Sequence, residues 1–301
     1  MQEHFGKSMN LAHIKLLALL LPALCMAGTV NLYKLATAMP TAVERDSNYR
    51  RLQRFFARFN LCLDLVARMI FSLLPVKEGI TLSMDRTNWK FGDVNINILM
   101  LGVTHKGVAF PLMFSMLDKR GNSSTEERIA IMDRFVSLFG SECIDCLVAD
   151  REFVGKEWVG YLNDMHIRYY LRARQNFWIH NPKTSRDVRI WWLFYDVKLG
   201  REKFFDKPFL LKGEYVYIAG ARFKNSDGVP ELQILICFNK PDMAVARYRM
   251  RWQIETAFRA MKSPDSTSRT PICATLNESS ALWQWCALRW HGLILLESIR
   301  I

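Results

Sequence analysis

Four polar side chains in the segment YRMRWQIETAFRAMK, Tyr248–Lys262, are spaced so that they could act together. Tyr248, Arg251, Glu255 and Lys262 follow one another at steps of three, four and seven residues. The apolar residues of the segment recur at steps of three and four, which predicts an amphipathic helix. These side chains would then share one helix face and present a hydroxyl, two cations and a carboxylate. A common surface ion pair between Arg251 and Glu255 would explain the spacing equally well.

Two aspartates upstream give that carboxylate possible partners. Asp85 follows the strand-like run ITLSM, and Asp150 follows the run CLVA, so we expect each to end a strand beside the sheet edge. If Glu255 lies across them, three carboxylates meet and repel unless a cation neutralises them. Hard oxygen ligands suit Mg²⁺ or Mn²⁺. Two such ions ~3.5–4 Å apart can support phosphodiester displacement. Both aspartates could instead be ordinary turn residues.

The charge balance favours a polyanionic partner. The chain has 301 residues, with 41 Lys and Arg against 29 Asp and Glu, which gives a formal net charge of +12. Basic proteins gain affinity for nucleic acids by releasing counterions from phosphate, and Arg251 and Lys262 would clamp such phosphates. The seven cysteines lack the regular spacing of a disulfide framework. A reducing, cytoplasmic location follows from that cysteine usage.

The elements that must position the acidic residues read as a mixed α/β domain. Three β-like runs with turn signals between them predict an antiparallel meander, and a helix, a strand, a helix and a strand follow. The capping-box pattern Ser124–Glu127 opens the first of those helices, and Gly140 is placed to end it. The predicted strands are Ile80–Arg86, Asn95–His105, Val108–Leu117, Asp145–Ala149 and Ile167–Arg172.

The N-terminal part reads as helical. The apolar run Leu16–Leu24 is shorter than a membrane span, and the apolar pattern continues beyond it, so we interpret it as a buried helix and not as a signal peptide. The segment Arg45–Phe59 predicts a helix with a basic outer face, which could grip phosphates or simply be solvated.

The stretch from Phe177 to about Asn239 has a different texture. It is rich in aromatic residues with turn signals between short runs, which predicts an all-β insertion. We expect the adjacent Trp191 and Trp192 to pack in the core or on the sheet. The alternative is that one of them stacks on an extruded base.

These features together resemble a known family. The pattern Y-x2-R-x3-E-x6-K is similar to the Y-R-E-K motif of insertion-sequence DDE transposases, in the branch called insertion-sequence family four. The runs that also resemble this family are YRRLQRFF at Tyr49–Phe56, MDRTNWKFGDVNINILMLGV at Met84–Val103, LDKRGNSSTEERI at Leu117–Ile129 and VADREFVG at Val148–Gly155. The resemblance covers roughly Leu11 to Lys262.

The resemblance implies a fold and a set of roles. It implies an α/β, ribonuclease-H-like mixed sheet with flanking helices, interrupted by an all-β insertion and preceded by an α-helical region. Asp85, Asp150 and Glu255 would be the catalytic and metal-binding triad for Mg²⁺ or Mn²⁺. The residues that would contact the element's terminal DNA are Tyr248, Arg251 and Lys262.

The same resemblance implies partners and a division of the chain. The expected partners are double-stranded DNA, as terminal inverted repeats and as target, and a second copy of the chain. We expect cut-and-paste transposition by a dimer in the bacterial cytoplasm, associated with the nucleoid, with no membrane partner. The expected segments are a helical region at 1–76 that contacts DNA, catalytic parts at 77–175 and 241–263, an insertion at 176–240 and an aberrant tail at 264–301.

The tail carries a separate prediction. After Lys262 the resemblance stops, and a Ser-, Thr- and Arg-rich run replaces the apolar pattern expected of a final packing helix. We interpret this as a one-base frameshift near Ser263 or Pro264, which predicts an intact triad on a damaged scaffold with poor or absent activity. Two other functions stay open: a ribonuclease-H-like nuclease without strand transfer, and a non-catalytic DNA-binding remnant.

Overall fold

The computed structural model describes residue 6 and residues 9–27, 31–58, 62–91 and 94–261. The predictions for Lys262 and for the tail at 264–301 lie outside these residues.

Among the described residues, four helices precede the sheet, so the predicted helical N-terminal region is confirmed. They are α1 Leu11–Ala27, α2 Leu32–Ala38, α3 Arg45–Arg58 and α4 Leu63–Leu73. The prediction that the apolar run at Leu16–Leu24 is a buried helix is confirmed, because Leu16, Leu17, Leu20 and Leu24 are almost fully buried. In the described ranges no single helix is long and apolar enough to span a membrane, although α1 and α2, bent by 104°, pass that test as a pair.

Eleven strands form one sheet within the described part of the chain. They are β1 Ile80–Phe91, β2 Val94–His105, β3 Val108–Leu117, β4 Ile144–Ala149, β5 Tyr169–Ala173, β6 Trp178–Asn181, β7 Arg186–Arg189, β8 Glu202–Phe204, β9 Phe209–Leu211, β10 Glu214–Lys224 and β11 Pro230–Cys237. Their order is β3-β2-β1-β4-β5-β11-β10-β9-β6-β7, and β8 pairs with β10.

The centre of this sheet is mixed. Strands β1, β2 and β3 form the predicted antiparallel meander, whereas β4 pairs in parallel with both β1 and β5. Helix α5, Thr125–Phe139, connects β3 to β4, and α6, Lys156–Asp164, connects β4 to β5. Ser124 and Glu127 form the predicted capping box at the start of α5. The expected mixed sheet with flanking helices is therefore confirmed.

The region after β5 is built mainly of strands, and β11 returns to pair with β5. The prediction that Trp191 and Trp192 pack in the core is wrong, because their side chains are 40% and 56% exposed. Both lie in the 3-10 helix Ile190–Phe194, whose first and last residues are buried and turn the two indoles outward. The indoles stack on each other with ring centroids 5.2 Å apart.

The late helical segment is not one continuous helix, contrary to the prediction. It consists of α7 Ala244–Tyr248, a 3-10 turn at Arg249–Arg251 and α8 Trp252–Met261. A 3-10 turn winds more tightly than an α-helix, so ideal helical spacing does not hold across it. Tyr248 is buried against the sheet, while α8 lies against β3.

Gly220 in β10 allows a close approach that a larger residue would block. A Cβ there would lie 2.7 Å from Cε1 of Phe194 and 3.0 Å from the backbone oxygen of Gln233. We expect Gly220→Ala to lower the free energy of unfolding by about 1–3 kcal/mol, because the core must shift to accept the methyl group. Urea denaturation followed by circular dichroism measures this loss.

Gly160 in α6 is the matched control. A Cβ there would meet only the flexible carboxylate of Glu214, at 3.1 Å. We expect Gly160→Ala to leave the free energy of unfolding unchanged or to raise it by about 0.5–1 kcal/mol, because alanine favours the helix. Equal losses in both variants would contradict the packing assigned to Gly220.

Candidate active site

Three carboxylates line one open cavity of about 410 Å³. Asp85 comes from β1, Asp150 follows β4, and Glu255 comes from the first turn of α8. The other lining residues are Arg86, Thr87, Arg251, Phe258 and Arg259. The structure thus brings together three acidic residues that are widely separated in the sequence.

Asp85 does not end its strand, contrary to the prediction. Strand β1 continues to Phe91, because it stays paired with β2 along its whole length. The parallel pairing of β1 with β4 stops at Met84 and Ala149, the residues directly before Asp85 and Asp150. The two aspartates therefore leave the paired region at the same level of the sheet, although only Asp150 follows a strand end.

Arg251 links two of the three carboxylates. Its Nη1 lies 3.3 Å from Oδ2 of Asp85, and its Nη2 donates to Oε1 of Glu255 at 2.7 Å. The side chain of Arg251 is only 6% exposed. Burial alone would lower its pKa, but Tyr248, Asp85 and Glu255 favour the charged form and raise it above the ordinary value. Arg251 is therefore a buried, permanent cation between acidic groups.

Asp85 is the most perturbed of the acidic residues. Burial raises the pKa of its carboxyl to about 6; Arg251 and the backbone N–H of Arg86 act to lower it, while Glu255 and Asp150 add to the rise. The N–H of Arg86 donates to Oδ1 of Asp85 at 2.7 Å. Strongly shifted carboxyls in a cavity are typical of functional sites.

Tyr248 supports Asp150 and is not an exposed residue. Its side chain is 1% exposed, and its hydroxyl donates to Oδ1 of Asp150 at 3.2 Å. Burial raises the pKa of this phenol, and Asp150 adds to the rise. Tyr248 stays close to Arg251, whose Cζ lies 5.6 Å from the centroid of the phenol ring, so the structure brings Tyr248, Arg251 and Glu255 together at the acidic cavity. Its predicted contact with DNA is untested.

The sequence reasoning missed two arginines that line the cavity. Arg259 lies four residues after Glu255 on α8 and is exposed, a helical spacing that the sequence already contains. Arg86 directly follows Asp85, and its guanidinium reaches Glu152 at 3.4 Å and Asn97 at 3.1 Å. No spacing rule could have found these contacts, because they join β1 to β2 and to the segment after β4.

The donor set suits a hard divalent cation, since carboxylate oxygens are the ligands that Mg²⁺ and Mn²⁺ prefer. As the side chains stand, the described part of the chain holds no group of three His, Cys, Asp or Glu residues close enough to share an ion. Arg251 lies between Asp85 and Glu255 and supplies the positive charge that keeps these two carboxylates from repelling each other. The residues fit such an ion by the chemistry of their oxygen donors, and Arg251 now bonds two of the three carboxylates.

A family model described as "Transposase DDE domain" matches residues 120–287, more than half of the chain. The match continues past Lys262, where the resemblance based on motifs stops, so the frameshift stays a prediction. No curated protein sequence matches the chain.

The fold is similar to that of a solved transposase. A structure described as a piggyBac transposase synaptic complex with hairpin DNA matches with a TM-score of 0.53 and 12% identity, covering 95% of this chain and 66% of that one. At this identity the likeness concerns the fold, and the expected ribonuclease-H-like class is confirmed. Endonuclease V from Bacillus subtilis matches at a TM-score of 0.30 and 11% identity, covering 69% of this chain and 82% of that one, too weakly to carry an argument.

Burial of Asp85 predicts a stabilising substitution. Because its pKa is raised from 3.8 to about 6, the folded chain binds more protons than the unfolded chain between these pH values. The stability that this group contributes is therefore present below about pH 4 and is lost as the pH rises through 6. We expect Asp85→Asn to raise the free energy of unfolding at pH 7.5 by about 2 kcal/mol.

Urea denaturation at pH 4 and at pH 7.5 measures this effect. The difference between Asp85→Asn and the unmodified chain should shrink toward zero at the lower pH. If Asp85→Asn is the less stable protein at pH 7.5, the ion pair with Arg251 outweighs the cost of burying the carboxylate.

Proposed function

The chain belongs to the transposase DDE domain family, and we propose that it cuts and joins DNA at the terminal inverted repeats of an insertion sequence. The observation that carries this proposal is the convergence of Asp85, Asp150 and Glu255 on one open cavity. The net charge of +12 supports a DNA substrate. The Y-R-E-K spacing supports membership of insertion-sequence family four.

Asp85, Asp150 and Glu255 would hold two Mg²⁺ or Mn²⁺ ions. When bound, such ions polarise the scissile phosphodiester and lower the pKa of a coordinated water or hydroxyl. The parallel pairing of β1 with β4 ends directly before Asp85 and Asp150, which places both aspartates at the centre of the sheet. Glu255 is 45% exposed and comes from α8, so it is the ligand with the most freedom to adjust.

Arg251 would release its hydrogen bonds to the carboxylates of Asp85 and Glu255 and bond a DNA phosphate. A guanidinium bonds carboxylate and phosphate oxygens with the same forked geometry. With divalent ions held by Asp85 and Glu255, Arg251 would no longer be needed as a counter-charge, and its Nη groups would be free to bind a DNA phosphate. Arg259, exposed at the rim of the same cavity, would bind another. Lys262 is proposed to add a third contact on the evidence of its motif position.

The assembly and the division of the chain belong to the same proposal. Residues 77–175 and 241–263 would form the catalytic domain around the insertion at 176–240, and the helices at 1–76 would contact DNA. Pairing of two element ends would require a dimer. The altered tail predicts weak activity for this chain, so DNA binding is as informative as cleavage.

Removal of Glu255 tests the catalytic assignment. We expect Glu255→Gln to abolish Mg²⁺- or Mn²⁺-dependent cleavage of a duplex that carries the inverted repeats, with at least a hundredfold loss of rate, because an ion ligand is lost. The measurement is a gel assay of end-labelled DNA, with a supercoiled target plasmid included to detect joined products.

Thr256→Ala is the matched control, since this neighbouring residue is exposed and bonds only within its own helix. Equal cleavage rates for Glu255→Gln and the unmodified chain would contradict the catalytic role assigned to Glu255. Cleavage without joined products would favour a nuclease, and DNA binding that no variant of the triad affects, without any cleavage, would favour a DNA-binding remnant.

Tyr248→Phe separates two roles for this residue. If Tyr248 positions Asp150, as its hydrogen bond indicates, loss of the hydroxyl lowers the cleavage rate several-fold at saturating DNA and leaves the affinity unchanged. If Tyr248 binds DNA, as the motif implies, the affinity falls as well. Fluorescence anisotropy and single-turnover cleavage on the same duplex distinguish these outcomes.

A further inference from the structure

A second open cleft, of about 250 Å³, lies on the other side of the late helical segment. It opens between the strands of the insertion and the 3-10 turn at Arg249–Arg251. The charged and aromatic side chains that line it belong to Arg201, Glu202, Arg222, Arg249 and Trp252, together with Phe223. None of these residues belongs to the acidic cavity or to the motif Tyr248, Arg251, Glu255 and Lys262.

The charge of this cleft is positive and poorly compensated. Three arginines line it against a single carboxylate, that of Glu202. Arg249 reaches Glu202 only at 3.9 Å, and the two side chains are 65% and 49% exposed, so the pair contributes little. The buried Nε of Arg222 has no hydrogen-bond partner among the described residues. An anion with several acceptor oxygens would satisfy these donors.

The position of the cleft relates it to the acidic cavity. Arg249 and Arg251 are the first and last residues of the same 3-10 turn. Arg249 points toward Glu202 on the insertion side, whereas Arg251 points toward Asp85 on the other side. The two sites thus flank a single turn of the chain. Phosphates along one DNA strand advance by about 3.4 Å per nucleotide along the helix axis, which is a spacing on the scale of neighbouring residues in one turn.

We propose that this cleft binds the phosphodiester backbone of the DNA strand that enters the acidic cavity, a few nucleotides from the reacting phosphate. The inference rests on the proposed function and adds a binding site to it. Arg249 and Arg201 supply the principal phosphate contacts, and Glu202 weakens them by repulsion. The indole of Trp252, 49% exposed, forms one wall.

Loss of a phosphate contact predicts a specific change in DNA binding. We expect Arg249→Ala and Arg201→Ala each to weaken binding of an inverted-repeat duplex several-fold. Each should also lower the slope of log affinity against log salt concentration by about 0.9. Fluorescence anisotropy of labelled duplex from 50 to 300 mM salt, with the full chain and no divalent ion, measures both quantities. Arg186→Ala, which removes an exposed cation from strand β7, should change neither.

Removal of the single carboxylate predicts a gain. We expect Glu202→Gln to bind the same duplex several-fold more tightly, because repulsion of the phosphates is relieved. A variant that merely damages the fold cannot produce this result. Asp187→Asn, an exposed acidic residue on β7, is the matched control and should leave the affinity unchanged.

The outcomes separate this inference from the function on which it rests. If the unmodified chain binds DNA and neither arginine variant changes the affinity or the salt slope, the cleft is not a phosphate site, while the transposase proposal stands. If Glu202→Gln binds no more tightly than the unmodified chain, the cleft assignment is likewise overturned. If the unmodified chain binds no DNA at all, both proposals fail together.

Discussion

The buried cation Arg251 is the constraint on which the site depends. A guanidinium that is 6% exposed would be very costly without any carboxylate beside it. Asp85 and Glu255 supply its counter-charges, and their geometry in turn is set by it. Because Asp85 comes from the centre of the sheet and Glu255 from α8, this one contact joins the late helical segment to the strands.

The sheet makes that contact possible by ending one pairing while another continues. Strands β1 and β4 stay in parallel register up to Met84 and Ala149, so Asp85 and Asp150 emerge side by side. Strand β1 then continues alongside β2, which keeps the backbone at Asp85 rigid and lets the N–H of Arg86 donate to its carboxylate. The cost is burial of an acidic group, which is visible as a raised pKa for Asp85.

Local sequence patterns predicted the elements well and their mutual contacts less well. The capping box at Ser124 and the strand at Val108–Leu117 were predictable, because each depends on a short pattern of residue types. The sequence also predicted that Asp85, Asp150 and Glu255 meet, and they line one cavity although Asp85 lies inside its strand. Burial of Tyr248 was not predicted, because ideal helical spacing conceals a 3-10 turn. The exposure of Trp191 and Trp192 was also missed, because hydrophobicity alone does not show which side of a short 3-10 helix packs against the core.

That 3-10 turn at Arg249–Arg251 has a structural consequence for how charge is distributed. In a continuous α-helix, Arg249 and Arg251 would point about 200° apart. In the structure, Tyr248 is buried and its hydroxyl donates to Asp150, while Arg251 donates to Glu255. The carboxylates of Asp85 and Asp150 thus each receive a donor from this segment, Arg251 for one and Tyr248 for the other.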